Sequence, residues 1–162
     1  MSLSGEQQLL PLPPDSQCCG RSAPPNILPL APSWEDGELV KKTLDAPDRW
    51  EVHSAEEVAV TLSDLPPFRV LQQPNQLVSG GAGNVGVGAC LWDGALVLAG
   101  YLATQPRYRY VGARCVELGG GVGLVGMALA RMGAHCTVTD LAKVLPLLRR
   151  NLAANGWDPK GR

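Results

Sequence analysis

"VELGGGVGLVGMALARMGAHCTVTD", residues 116–140, sets six glycines between a glutamate and an aspartate. Ahead of the glycines, Cys115, Val116 and Leu118 read as a short apolar strand interrupted by Glu117. The glycines force a turn where that strand ends. Residues 122–132, "VGLVGMALARM", then supply a helix with Leu124, Met127, Ala128 and Arg131 spaced along it. Gly133 stops the helix, and "HCTVTD" alternates into a second strand that finishes at Asp140. "LAKVLPLLRRNLAANG" reads as one more helix, with Pro146 near its first turn and Asn155-Gly156 as its stop. Strand, glycine turn, helix, strand, acid, helix is the opening half of a doubly wound parallel sheet, so the predicted class is α/β and Rossmann-like.

A strand running into a bare turn lets ligand atoms approach backbone beside the free N–H groups of a helix start. An acid at the tip of the neighbouring strand reaches a ribose diol, and Asp140 lies 21 residues past Gly119, the spacing such a contact needs. Two glycine patterns overlap here. Gly121, Gly123 and Gly126 satisfy G-x-G-x-x-G, a weak signal alone, while Glu117, Gly119, Gly121 and Gly123 satisfy E-x-G-x-G-x-G. Glu117 tips the balance, because a carboxylate at the strand end repels a pyrophosphate and attracts a cationic sulfonium amino acid.

Upstream, "SGGAGNVGVGACLWDGALVLAGYLATQP", residues 79–106, begins as a glycine-rich loop and continues as a predicted helix of about 12 residues carrying Leu91, Ala95, Leu98, Ala99 and Leu102. Asp93 suits the helix N-terminus as a charge complementing the dipole, and Tyr101, Tyr108 and Tyr110 read as packing or surface residues. "FRVLQQ", residues 68–73, reads as a strand. "WEVHSAEEVAVTLSDL" fits either a hairpin or a short helix opened by a Ser54/Glu57 capping box. His53 there reads as a surface or structural histidine. Residues 1–47 carry eight prolines, which predicts a disordered leader; the domain is predicted over 48–162.

Composition narrows the function. Of 162 residues, 45% are hydrophobic and 18% charged, with a formal net charge of -1, which suits one domain plus a tail and gives no field to attract nucleic acid or anionic lipid. Lys143, Arg149, Arg150, Lys160 and Arg162 read as a solvated basic face. The five cysteines show no CxxC and no ligand spacing with the two histidines, so no metal is expected and reduced thiols are. No run approaches the ~20 apolar residues of a membrane span. The N-terminus lacks the form of a secretory signal. Cytosol, with the nucleus as second compartment, is the expected location.

"VELGGGVGLVG" followed by "VTD" and preceded by "LWDGALVLAGYL" resembles the methyltransferase-like 21 group of seven-strand, S-adenosylmethionine-dependent protein-lysine methyltransferases. The resemblance covers residues 68–157, with Gly94 in place of the usual Ala and Val122 in place of the usual Thr. It implies a class I methyltransferase fold, S-adenosyl-L-methionine as cofactor, and a protein substrate bearing a target lysine. By resemblance, Trp92 borders the cofactor's methionine end, Gly119, Gly120, Gly121 and Gly123 form the turn beneath it, and Asp140 holds the ribose. Glu117 resembles the strand-end acid that orients the turn or, through water, the cofactor's amino group. A plain core or helix-capping role competes for Trp92.

The family's D-x-x-Y-type acceptor motif and its second adenine-contacting aromatic have no counterpart in these residues. The expectation is therefore a partial Rossmann-like domain, inactive alone, weakly stable, with one sheet edge bare and a partner able to cover it. Two other classes stay open: an NAD(P)- or flavin-dependent oxidoreductase fragment, and a non-catalytic interaction module.

Overall fold

The computed structural model describes residues 2–3, 26–35, 38–43, 49–77 and 85–158 of the 162. In chain order the strands are β1 (Ser2–Leu3), β2 (Asn26–Glu35), β3 (Glu38–Thr43), β4 (Glu57–Thr61), β5 (Phe68–Leu71), β6 (Arg114–Leu118) and β7 (His135–Thr139). The helices are α1 (Arg49–Ser54), α2 (Asp93–Ala103), α3 (Leu124–Arg131) and α4 (Leu145–Ala154). They build two sheets, β1-β7-β6 and β3-β2-β4-β5.

The chain from β6 to α4 has the predicted α/β order. β6 and β7 are parallel and in register from Arg114 opposite His135 to Leu118 opposite Thr139. Their alternation sorts the two faces: Cys136 and Val138 are buried, whereas Val116 is 68% exposed and Leu118 81%. Among the described residues, then, this sheet is covered on one face and β6 has a bare edge. The opposite edge is extended by β1, antiparallel to β7, with Ser2 opposite Thr137.

α3 is apolar nearly all round, buried from Leu124 to Leu129 between β7 and α2. It lies unusually close to the sheet because Gly126 has no side chain: a Cβ there would stand 2.2 Å from Val138 Cγ2. α2 buries Leu96, Ala99 and Ala103, a face turned from the predicted one, and leaves Leu98 half exposed. The stripe toward α3 is set by small residues that let two helices approach, which an apolar count alone does not reveal.

In the ambiguous segment around His53, the hairpin reading holds for its second half, where β4 pairs antiparallel with β5, and the capping-box reading fails. α1 ends at Ser54, whose Oγ donates to Glu51 O at 3.2 Å, and β4 begins at Glu57, so no capping box forms. Glu57 is buried and held by a two-pronged ion pair with Arg69 of β5. The β5 strand was legible as such. Parts of the stretch read as a disordered leader are strands: β2 pairs with β4 through 26–29 and with β3 through 30–35. Each half of β2 is paired on one side, so Pro29 and Pro32 each remove a donor from one ladder at most. The rest of 1–47, apart from β1 and β3, lies outside the described residues.

Two asparagines join the sheets. Asn151 of α4 accepts the Leu71 N–H at 2.6 Å and donates to Leu71 O at 3.0 Å. One helical turn on, Asn155 accepts the Arg69 N–H at 2.9 Å and donates to Arg69 O at 2.7 Å. An amide side chain presents one donor and one acceptor as a peptide does, so the pair stands in for a neighbouring strand along β5. Arg131, at the end of α3, closes the same corner with its guanidinium 4.7 Å from the Phe68 ring centre and 5.3 Å from that of Trp157. A single core runs through both sheets, with Val58, Phe68 and Val70 from one, Val138 from the other, and Met127 of α3 and Leu148 of α4 packed among them. Each such buried side chain contributes roughly 1.5–3 kcal/mol.

Candidate functional site

Where β6 ends, the chain makes the glycine turn, and the three consecutive glycines do different things. Gly119, at φ +66°, would carry a Cβ into open space, so it is the bare position facing outward. Gly120 faces inward, where a Cβ would stand 2.3 Å from Val138 Cγ1. Gly121, at φ +55°, faces the backbone of Gly88 across 3.7 Å. Gly123 begins α3 at φ +87° against Leu148.

A cavity of about 450 Å³ opens beside this turn. Of the residues singled out in the sequence, Trp92, Glu117, Gly119, Gly120, Gly121 and Asp140 line it together. Gly123 does not; its place is the helix start and the Leu148 contact. The glycine-rich loop ahead of α2 supplies wall through Gly86, Val87 and Gly88, folded as a helical turn, while Leu98 on the open face of α2 and the exposed Lys143 are parts of the wall that sequence reasoning missed. Gly88 lets that loop sit on Val144, where a Cβ would come within 2.8 Å of Cγ2. Lys143 carries no sequence signal.

Two carboxylates hold the turn in shape. Asp140 follows β7 and accepts the Gly121 N–H on Oδ2 and the Leu141 N–H on Oδ1, each at 2.7 Å. Glu117 turns toward α3 and accepts the Gly126 N–H at 2.8 Å, in the first turn of that helix. Burial raises the Glu117 carboxyl to about 7; the nearby Asp140 charge adds to this and the Gly126 hydrogen bond opposes it. The same surroundings, burial first and then Glu117, push the Cys136 thiol up to about 12, so it is an inert buried thiol.

Two further turn donors are engaged. Gly120 N–H donates to Thr139 O at 2.9 Å and Gly123 N–H to Gly120 O at 2.8 Å. A pyrophosphate cradle needs such donors free and pointing at the ligand. Here those of Gly120, Gly121, Gly123 and Gly126 are bonded within the protein, two of them to carboxylates.

Trp92 stands at the start of α2 in extended backbone, and its Nε1–H donates to Val87 O at 2.6 Å, fastening the loop wall. Its own carbonyl accepts the N–H groups of Ala95 and Leu96, so it caps the helix as well as lining the cavity. His53 packs against it, ring centres 5.0 Å apart at 60°, with a buried Nε2 that has no partner among the described residues. Asp93 opens α2 as expected, Tyr101 and Tyr108 are exposed, and Tyr110 is partly buried. Among the described residues no group of His, Cys, Asp and Glu gathers as metal ligands, and no helix is long and apolar enough to cross a membrane.

Comparison with known proteins covers the stretch that carries these residues. A family model described as lysine methyltransferase matches residues 71–161, more than half of the chain. EEF1A lysine methyltransferase 3 of Xenopus tropicalis is 42% identical over 72 residues, 44% of this chain and 32% of that protein. Protein N-lysine methyltransferase METTL21A is 45% identical over 74 residues in Mus musculus and 41% over 78 in Danio rerio, covering 44% and 48% of this chain and 32% and 34% of those proteins. The chain thus aligns with about a third of the length of these curated relatives. Glycine turn, tip aspartate and helix-start tryptophan all fall within the matched span, and the chain belongs to the lysine methyltransferase family, as its resemblance to the methyltransferase-like 21 group implied.

Proposed function

We propose that this chain forms the cofactor-binding part of an S-adenosylmethionine-dependent protein-lysine methyltransferase. The observation that carries the reading is the cavity wall, where Glu117 and Asp140 flank a glycine turn in which the N–H groups of Gly120, Gly121 and Gly123 are already bonded. Two carboxylates beside spent donors suit a ligand that brings hydroxyls and positive charge, and oppose one that brings phosphates. The dinucleotide reading is disfavoured on that ground.

The residues fit the group at three places. Gly119 leaves room for ligand atoms against the backbone. Asp140, with lone pairs beyond those given to Gly121 and Leu141, accepts ribose hydroxyls. Trp92 offers a half-exposed ring as an apolar wall. When bound, the cofactor supplies a methyl group on a sulfonium sulfur for transfer to an amine. Glu117, balanced between protonated and ionised at neutral pH, is held ionised beside a cation, so binding and charge reinforce each other. No covalent intermediate on the protein is required; the protein's work is alignment and exclusion of water.

The acceptor in this reading is a lysine on a partner protein. Among the described residues, the free thiols at Cys90, Cys115 and Cys136 suit a reducing compartment, the cytosol with the nucleus as second site. A second reading, a binding module, draws on the bare face of β6 at Val116 and Leu118, and a stoichiometric partner co-purifying with the chain favours it. The test of the main reading is methyl transfer from labelled cofactor by a form extended to the length of the curated relatives, located by mass spectrometry. Label on a lysine of a protein substrate is the expected result. Labelled arginine, or heat protection by NADPH in place of S-adenosylhomocysteine, overturns it.

A further inference from the structure

We propose that Gln72 is a positioning residue for the cofactor cavity: it sets the backbone that aims Trp92. The proposal rests on the cofactor reading of that cavity for its functional meaning, although the placement of Trp92 stands on geometry alone.

Gln72 follows β5 and is 4% exposed. Its Nε2 donates to Val52 O at 2.7 Å and to Ala55 O at 2.8 Å, while its Oε1 accepts the Leu91 N–H at 2.6 Å. One side chain therefore ties the end of α1 to the segment that enters α2. Glutamine alone offers two donors and an acceptor in one plane at this length. The neighbouring Gln73 N–H donates to Ala89 O at 2.9 Å, so the segment is pinned at two points, Ala89 and Leu91.

What lies just beyond those pins is the cavity wall. Trp92 is the next residue, its indole holds Val87 O, and the Gly86–Ala89 turn lies against Gly121. On the other side, the carbonyls that Gln72 binds, Val52 in α1 and Ala55 just past it, flank His53, whose ring packs on the Trp92 ring. Both faces of the tryptophan's setting are thus fixed by a residue that is not itself part of the cavity lining. With Gln72 removed, the buried Leu91 N–H and two carbonyls lose their partners, and the segment relaxes to find others.

The experiment reads the indole N–H resonance of Trp92 in chain labelled with nitrogen-15 tryptophan, together with the affinity for S-adenosylhomocysteine, in Gln72→Met, Gln72→Glu and Asn155→Ala. Gln72→Met is expected to move the Trp92 resonance and weaken the affinity about tenfold, the size of one lost buried hydrogen bond. Asn155→Ala, which loosens the other side of β5 without touching the segment, is expected to lower thermal stability while leaving both readouts at wild-type values. Gln72→Glu keeps the acceptor and regains one donor when protonated, so its resonance is expected to return toward that of wild type as pH falls. An unmoved Trp92 resonance in both Gln72 variants overturns the proposal, as does an equal shift and affinity loss in Asn155→Ala. If wild-type chain binds no S-adenosylhomocysteine, the cofactor reading fails, while the resonance still decides whether Gln72 places Trp92.

Discussion

Asp140 Oδ2 accepts the Gly121 N–H at 2.7 Å, so the tip of β7 is fastened to the turn that leaves β6. The acid that sequence spacing assigned to a ribose is therefore also a structural clamp, with its other oxygen on Leu141.

Removing that clamp has two separable effects. Asp140→Ala leaves two backbone N–H groups without partners and is expected to cost about 1–3 kcal/mol of stability by urea titration. Asp140→Asn keeps an acceptor for one of them and is expected to cost less, while both variants weaken S-adenosylhomocysteine binding about 10- to 100-fold by calorimetry.

Glu117 makes stability depend on pH with a definite sign. Its carboxyl ionises near 4.5 when unfolded and near 7 when folded, so between these values the folded chain holds the extra proton. Stability contributed by the protonated form is present at the acid end and is lost as pH rises through about 7. Glu117→Gln keeps an oxygen for the Gly126 N–H and cannot ionise. Its stability relative to wild type is expected to climb from pH 5 to pH 8 and level off above, read by urea titration at each pH. The same variant is expected to weaken binding of the sulfonium cofactor more than that of its neutral product.

Gly126→Ala tests the close approach of α3 to β7. Its Cβ would lie 2.2 Å from Val138 Cγ2 and 2.7 Å from Glu117 Oε2. Helix and strand must part, at an expected cost of about 1–3 kcal/mol and a visibly lower melting temperature, despite the better helix propensity of alanine.

Asn151→Ala exposes the edge of β5. The residue is fully buried and supplies both partners of the Leu71 peptide. An expected loss of about 1–3 kcal/mol accompanies faster amide exchange at Leu71, with exchange in α3 changed only by the global loss.

Residues 114–156 were legible because their local signals agree: alternation in "HCTVTD", glycines where φ is positive, Pro146 in the first turn of α4. The site was legible to the extent that bare backbone and terminal acids carry chemistry by spacing alone, as Glu117, Gly119 and Asp140 do. Hidden were contacts that depend on distant partners. Nothing near Gln72 announces its bond to Leu91, nothing in "RRNLAAN" shows that Asn151 and Asn155 line up along β5, and Lys143 reaches the cavity only through the fold. The β2 strand escaped notice because its prolines argue against pairing, an objection that lapses when each half has one partner.

The most direct measurement of the central claim is a nitrogen-15 correlation spectrum of this chain titrated with S-adenosylhomocysteine and, separately, with NADH. Shifts concentrated at Gly119, Gly121, Leu141 and the Trp92 indole with the first ligand, and none there with the second, are the expected result. Silence at those positions, or the same pattern with NADH alone, would contradict a cavity built for a sulfonium nucleoside.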